Sequence, residues 1–129
     1  MGVAATLAVK NMPDYQKLST LRDAIEARLS GIVIFGQDAP RVANTTCVAL
    51  PYVPADTQLM ALDLAGICVS SGSACSSGSV KASHVLEAMG IAPDIARCAL
   101  RISLGWTTTS ADIETFIETY TRLQTTWQT

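Results

Sequence analysis

Hydrophobic residues recur at helical spacing near both ends of the chain. In residues 14–30, aliphatic side chains stand three and four positions apart with charged residues between them. In residues 109–123 the same spacing follows Thr109 and Asp112, which are placed as in a capping box. Such spacing puts side chains on one face of a helix, so two amphipathic helices are predicted. Their apolar stripes are Leu18, Leu21, Ile25 and Leu29, and Ile113, Phe116, Ile117, Tyr120 and Leu123.

Proline and glycine divide the rest of the chain into short elements. Pro13 starts or kinks the first long helix, so residues 2–12 are expected to form a separate or bent helical piece. Gly31 ends that first helix. Further helices are predicted from Pro54 to Gly66, from Ser83 to Gly90, and as one turn from Pro93 to Ala96.

Four short segments have the residue types of strands. In residues 100–104, Leu100, Ile102 and Leu104 alternate with Arg101 and Ser103, so the aliphatic side chains would be buried and the two polar ones would face the other way. The other three segments are apolar runs that end at turn residues or at a polar loop. They are residues 32–35, 46–50 and 67–69.

The element order and the length indicate one small domain. A chain of 129 residues, 49% apolar and 16% charged, has room for a single hydrophobic core. Helices and strands alternate with short connections, which predicts an α/β fold of the two-layer α+β type. Its expected centre is a small mixed or antiparallel sheet covered by helices.

Charge and cysteine spacing exclude several classes of function. The net charge is −2 and the nine Lys and Arg residues are scattered, which argues against nucleic acid as a partner. The apolar runs are too short to span a bilayer. The four cysteines form no Cys-x-x-Cys pair and there is one histidine, so no metal site is expected. The chain shows no signal peptide, which predicts reduced thiols and a cytoplasmic location.

Cys75 is the leading candidate for chemistry. It stands within ten small residues, Ser70 to Ser79, that predict an exposed and mobile loop. An accessible thiol on such a loop is typical of a reactive or carrier cysteine, although an inert loop cysteine fits the same pattern. The other three cysteines lie within or next to the apolar strand segments, so they are expected to be small core residues. They are Cys47, Cys68 and Cys98.

Two further side chains are candidates with competing explanations. Arg101 offers a planar pair of donors to a carboxylate from a rigid strand, either on a substrate or in a structural ion pair. His84 is a candidate base for Cys75, but a solvent-exposed histidine at a helix start is the simpler explanation.

Three stretches of the chain form a pattern when they are taken together. The first is residues 62–78, LDLAGICVSSGSACSSG, the second is Ser83 to Leu86, and the third is residues 100–105, LRISLG. Together they resemble the C-terminal part of the cysteine desulfurases, which are pyridoxal-phosphate-dependent enzymes of the class V aminotransferase superfamily. The first stretch is similar to the loop of the branch that supplies sulfur for iron–sulfur clusters. Arg41 and Asn44-Thr45 also resemble an Arg-x-Pro-Asn-Thr stretch, with Ala43 in place of proline.

The resemblance implies a role for three residues. Cys75 would take sulfur from L-cysteine as a persulfide and leave alanine, Arg101 would bind the substrate carboxylate, and Asn44 would form part of the active-site wall. It also implies the fold of the C-terminal small domain of fold-type I pyridoxal phosphate enzymes. The expected partners are a sulfur acceptor, such as an iron–sulfur scaffold protein, and a second copy in a homodimer.

The resemblance also implies that part of the enzyme lies outside this chain. None of the lysines, Lys10, Lys17 and Lys81, stands in the segment that supplies the family's Schiff-base lysine. Residues 1–129 are therefore expected to be the small domain with part of the connecting helix, inactive without a cofactor-binding large domain. Two alternatives stay open: a non-enzymatic sulfur-carrier or interaction module, and a related lyase such as one acting on selenocysteine.

Overall fold

One antiparallel sheet organises the residues that the structure, a computed structural model, describes, namely 2–71 and 83–127. Its strands are β1 (Val33–Ile34), β2 (Thr45–Ala49), β3 (Ser70–Ser71) and β4 (Ala99–Ser103). They lie in the order β1-β2-β4-β3. The helices are α1 (Gly2–Lys10), α2 (Met12–Arg28), α3 (Ala55–Leu64), α4 (His84–Ala88), α5 (Pro93–Ala96) and α6 (Ser110–Trp127). The prediction of a small sheet, mixed or antiparallel, with helices on it is confirmed, and the sheet is antiparallel.

The main core lies between one face of the sheet, here called the inner face, and helices α2, α3 and α6. The alternation in β4 is confirmed, because Leu100 and Ile102 are buried while Arg101 and Ser103 are exposed. The stripes of the two long helices meet the same core. Its buried members are Ile25, Leu29, Val48, Ala55, Leu62, Leu100, Ile102, Leu104, Ile113, Phe116, Ile117 and Tyr120.

The opposite, outer face of the sheet is covered at one end only. A second cluster joins the strands to α4 and α5 there, through Phe35, Ala49, Leu86, Ala96, Cys98 and Ala99. Farther along the same face, Arg101 and Ser103 stay exposed. The fold therefore leaves an open half of the outer face beside the end of β4.

Local chemistry sets several helix ends as the sequence predicts. The backbone N–H of Thr109 donates to Asp112 Oδ2 at 2.7 Å, and the N–H of Asp112 donates back to Thr109 Oγ1 at 3.3 Å. This reciprocal pair is the capping box at the start of α6, and its hydrogen bonds lower the pKa of Asp112. Ser83 caps α4 by accepting from the N–H of Leu86.

The prediction of a strand at residues 67–69 is wrong, and the strand is Ser70–Ser71 instead. The reason is the end of α3, where Gly66 takes a φ of 78° and the N–H of Ile67 bonds to the carbonyl of Leu62 at 2.9 Å. In this Schellman motif the residues just after α3 bond back to the last turn of the helix, so the strand begins only beyond them. Cys68, expected in the core, is exposed as a result.

A largely buried ion pair ties α2 to the chain that leads into β2. Arg41 Nη1 lies 2.6 Å from Glu26 Oε1, and Arg41 Nη2 lies 3.0 Å from Oε2, so the contact is bidentate. The Glu26 side chain is only 7% exposed. Burial acts to raise the pKa of Glu26, but the hydrogen bonds to its carboxylate, that of Arg41 first, and the charges of Arg41 and Arg22 together outweigh burial, so this pKa is lowered.

Replacing Glu26 by glutamine should destabilise the chain at neutral pH by about 3 kcal/mol, because Arg41 would keep its charge without its partner. Since the pKa of Glu26 is lowered from 4.5 on folding, its contribution is present above pH 4.5 and is lost as the pH falls through the folded value. Urea unfolding at pH 7 and pH 3 should therefore show a gap between wild type and variant that narrows in acid. Glu114→Gln, in the half-exposed pair with Arg28, is the matched control and should change stability far less.

Candidate functional site

Arg101 lies at the middle of a row of side chains that crosses the outer face of the sheet. The register pairs Arg101 with Cys47 on β2 and with Ser70 on β3. A bond from the Phe35 N–H to the Cys47 carbonyl extends the row to the end of β1. The order across the sheet is thus Phe35, Cys47, Arg101 and Ser70, with the guanidinium on the central strand β4.

The Arg101 side chain is left available by its surroundings. Among the residues that the structure describes, it forms no ion pair with an Asp or Glu, whereas Arg22, Arg28, Arg41 and Arg97 each do. The Ser70 hydroxyl donates to the backbone carbonyl of Arg101 at 3.3 Å, which holds the strand and not the guanidinium. The explanation of Arg101 as a structural ion pair therefore finds no partner in the described part of the chain.

Cys47 provides the neutral neighbour of Arg101. Burial raises the pKa of its thiol, and the charge of Arg101 lowers that pKa by a smaller amount. The thiol therefore remains protonated at neutral pH and brings no negative charge to the guanidinium. Sequence reasoning placed Cys47 in the core; it is half-buried and packs against the second cluster. Its proximity to Arg101 was missed, since strand register cannot be read from one sequence.

Asn44 joins three elements at the point where β2 begins. Its Nδ2 donates to the Leu104 carbonyl at 3.1 Å, and its Oδ1 accepts from the Tyr15 hydroxyl at 3.0 Å and from Thr45 Oγ1 at 3.1 Å. The backbone adds a bond of 2.7 Å from the Leu104 N–H to the Asn44 carbonyl. Asn44 thus fixes α2 against the ends of β2 and β4. Tyr15 was not identified from the sequence.

A groove opens beside Asn44, and we name it the end groove. It has a volume of about 840 Å³ and lies between the junction of α1 and α2 on one side and the residues after β4 on the other. Its lining includes Met12, Tyr15, Asn44, Leu104 and Trp106. The groove is mostly apolar, and the hydrogen-bonded pair of Tyr15 and Asn44 is among its polar lining residues.

The two remaining candidates from the sequence are Cys75 and His84. Cys75 and most of its loop lie outside the described residues, so the reactive-thiol prediction stays a prediction. His84 is the first residue of α4 and is exposed.

Within the described ranges no cluster of His, Cys, Asp or Glu is arranged to hold a metal ion. No helix described here has both the length and the apolar character for a membrane span.

The fold and this site define a class of protein. Residues 7–116 match the family model described as aminotransferase class-V, and the chain belongs to this family. Two solved structures of NifS-like proteins have a similar fold. An X-ray structure of a NifS-like protein from Rickettsia africae has a TM-score of 0.78 and 34% identity, over 95% of this chain and 32% of that one. Another structure, titled NifS-like protein, has a TM-score of 0.79 and 27% identity over 92% of this chain and 30% of that one.

Curated proteins with similar sequences are named cysteine desulfurase. A protein named cysteine desulfurase from Cereibacter sphaeroides is 40% identical over 92% of this chain and 31% of its own length. Cysteine desulfurase 2 of Trichormus variabilis is 38% identical over the same shares. The chain therefore spans about a third of the length of the curated relatives that it matches.

The described residues do not fit a complete site for pyridoxal phosphate. Such a site needs a lysine for the Schiff base, and the described part of the chain has two, Lys10 and Lys17. Lys17 is on α2, which packs on the inner face of the sheet, and its Nζ is bound to Asp14 at 2.7 Å. Lys10 ends α1, which has no buried residue. Lys17 thus belongs to the inner side of the sheet, whereas Arg101 is on the outer face.

Proposed function

We propose that this chain is the C-terminal small domain of a cysteine desulfurase and that the cofactor-holding part of the enzyme lies outside residues 1–129. The observation that carries the proposal is the Arg101 guanidinium, exposed on the central strand and without a carboxylate partner in the described residues. The relatives named cysteine desulfurase support the substrate class. Below, the complete enzyme means this domain together with the cofactor-holding part.

Arg101 binds the α-carboxylate of L-cysteine in this proposal. A guanidinium presents two parallel donors to a carboxylate, and the strand that carries Arg101 is paired on both sides, so the backbone at its base is fixed. The neutral Cys47 thiol on one flank and Ser70 on the other bring no competing negative charge. The row across the outer face therefore suits a carboxylate-binding position, and Asn44 supports the nearby wall through its bonds to β4 and α2.

Cys75 acts as the sulfur acceptor. Its thiol attacks the sulfur atom of the substrate, a sulfur–sulfur bond forms, and the bond from that sulfur to the substrate β-carbon breaks. The electron pair of the broken bond stays with the carbon, which takes up a proton. The products are L-alanine and a persulfide on Cys75, and no external oxidant is required.

The position of Cys75 along the chain agrees with this role. It follows Ser71, the last residue of β3, by four residues, and β3 pairs directly with the strand of Arg101. In sequence, Cys75 therefore belongs to the segment that directly follows the strand next to Arg101. The persulfide would then be passed to an acceptor, such as an iron–sulfur scaffold protein, by a homodimeric enzyme in the cytoplasm.

Turnover of L-cysteine by the complete enzyme tests the function. We expect alanine to form in equal amount to the sulfur released in the presence of a thiol reductant. The 129-residue chain alone, with added pyridoxal phosphate, should form none. Alanine formation by the isolated chain would contradict the proposed division of the enzyme. A strong preference for selenocysteine over cysteine would favour the related lyase.

Arg101→Lys in the complete enzyme should raise KM for L-cysteine by about 10- to 150-fold, because the loss of a two-pronged, charge-assisted contact costs roughly 1.5–3 kcal/mol. Initial rates over a range of cysteine concentrations measure this effect. Arg122→Lys is the matched control, since Arg122 is an exposed arginine on α6, and it should leave KM unchanged. Unchanged saturation behaviour in the Arg101 variant would remove Arg101 from the substrate site.

A further inference from the structure

Arg101 has two very different neighbours along its own strand. The register pairs Ala99 with Ala49 on one side of the Arg101 row and Ser103 with Thr45 on the other. Ala99 is 2% exposed and belongs to the second cluster, together with side chains of α4 and α5, so the space over it is filled. Ser103 is exposed on the open half of the outer face. The open approach to the guanidinium therefore lies on the side of Ser103.

The hydroxyl groups around Arg101 differ in whether they are already used. Ser70 donates its hydroxyl to the Arg101 carbonyl at 3.3 Å. Thr45 donates its hydroxyl to Asn44 Oδ1 at 3.1 Å. The Ser103 hydroxyl forms no hydrogen bond with any residue that the structure describes. Of these three hydroxyl groups, the one on Ser103 has its donor free for a ligand.

A carboxylate held by Arg101 needs more donors than the guanidinium supplies. Its two oxygens offer about four acceptor positions, and a bidentate guanidinium fills one on each oxygen. Each remaining position costs free energy if it leaves water without a donor. The Cys47 thiol on the neighbouring strand is only a weak donor. Ser103 stands two residues along β4 on the same face, about 6.7 Å from Arg101 between Cα atoms, so its hydroxyl is placed to share a carboxylate with the guanidinium.

We infer that the Ser103 hydroxyl donates a hydrogen bond to the same substrate α-carboxylate that Arg101 binds. This inference deepens the proposed function and rests on it, because it takes an α-carboxylate to be the ligand of Arg101. The guanidinium supplies the charge and two parallel donors, and Ser103 supplies a further donor from the open side. The carboxylate lies toward the row of Ser103 and Thr45, away from the filled space at Ala99.

Binding of L-alanine, the amino-acid product, to the complete enzyme tests this contact without turnover. Ser103→Thr keeps the hydroxyl, whereas Ser103→Val has nearly the same shape and lacks it, and both β-branched side chains suit a strand. We expect calorimetry to give a Kd for L-alanine about tenfold weaker in the valine variant than in the threonine variant, because a hydrogen bond to a charged group is lost. Thr57→Val makes the same exchange at an exposed position on α3 and should leave Kd unchanged.

The outcomes separate this inference from the proposed function. Equal L-alanine affinity in the threonine and valine variants would overturn the role of Ser103, while binding by the wild type would leave the Arg101 site in place. Failure of the wild-type enzyme to bind L-alanine would remove the carboxylate site proposed for Arg101, and the role of Ser103 with it.

Turnover of L-cysteine by the same two variants gives a second measurement. A bond to the carboxylate, which does not react, is made equally in the bound substrate and in the transition state. Ser103→Val should therefore have a KM about tenfold above that of Ser103→Thr, with kcat within about twofold. A difference in kcat at equal KM would contradict a contact with the carboxylate.

Discussion

Replacement of Cys75 by alanine in the complete enzyme is expected to abolish sulfur transfer. The variant retains every other group proposed for the reaction but has no thiol to accept the substrate sulfur, so alanine formation should fall by at least about 10³-fold. Cofactor absorbance should be unchanged, because the residue does not hold the cofactor in this proposal. Wild-type enzyme treated with cysteine should carry the mass of one additional sulfur atom on the Cys75 peptide, and the variant should not.

Cys68→Ala is the matched control for this experiment. Cys68 is an exposed thiol seven residues before Cys75, so a general effect of removing an accessible cysteine would appear in both variants. We expect the Cys68 variant to keep wild-type turnover. Full persulfide yield without Cys75, or an equal loss in both variants, would show that the sulfur acceptor is elsewhere.

The amphipathic elements could be predicted from the sequence because their signals are local. The alternation in residues 100–104 places Arg101 opposite the aliphatic side chains whatever the strand pairs with. The capping pair of Thr109 and Asp112 lies within one turn of α6 and needs no tertiary contact to be recognised. Such features depend on spacing alone, and they were confirmed.

The surroundings of Arg101 could not be predicted in the same way. Cys47 and Arg101 are 54 residues apart in sequence and meet only through the pairing of β2 with β4. Residues 67–69 do not form a strand because Gly66 and the N–H of Ile67 cap the end of α3. The sequence contains both a capping signal and an apolar run here, and it does not show which of them prevails. The same error placed Cys68 in the core. Register and competition between neighbouring elements are tertiary properties.

Gln58 shows a signal that was present in the sequence but not used. It lies on the same helical stripe as Ala55 and Leu62, and all three are buried in α3. A polar residue on a core stripe must find hydrogen-bond partners inside the protein. Gln58 Nε2 donates to the carbonyls of Val53 at 2.7 Å and Cys98 at 3.0 Å, and its Oε1 accepts from the Tyr120 hydroxyl at 2.7 Å. One amide thus joins α3, the residue just before β4, and α6.

Gln58→Leu should therefore be among the most destabilising single substitutions in the described chain. The leucine leaves two buried carbonyls and the Tyr120 hydroxyl without a partner, and about 1–3 kcal/mol for each unsatisfied group gives a loss of at least about 3 kcal/mol. Tyr120→Phe removes one bond only and should cost about 1–3 kcal/mol. Tyr52→Phe is the control, because Tyr52 is 96% exposed, and it should stay within about 0.5 kcal/mol of wild type.

Urea unfolding of Gln58→Leu, of Tyr120→Phe and of the variant with both substitutions measures how strongly Gln58 and Tyr120 are coupled. Because the amide and the hydroxyl share one bond, the double variant should lose less stability than the two single losses combined. Additive losses would show that the bond between Tyr120 and Gln58 contributes nothing.

Alkaline pH probes the same network from the phenol. Burial raises the pKa of Tyr120 well above 10, and the neighbouring Cys98 raises it further. In the unfolded chain this tyrosine loses its proton near pH 10, whereas in the folded chain it keeps it, so its contribution is complete below pH 10 and declines as the pH rises above that value. The stability of wild type should therefore fall more steeply than that of Tyr120→Phe between pH 9.5 and pH 11. Parallel curves for the two proteins would show that the Tyr120 hydroxyl titrates freely in the folded state and that the buried network does not hold it.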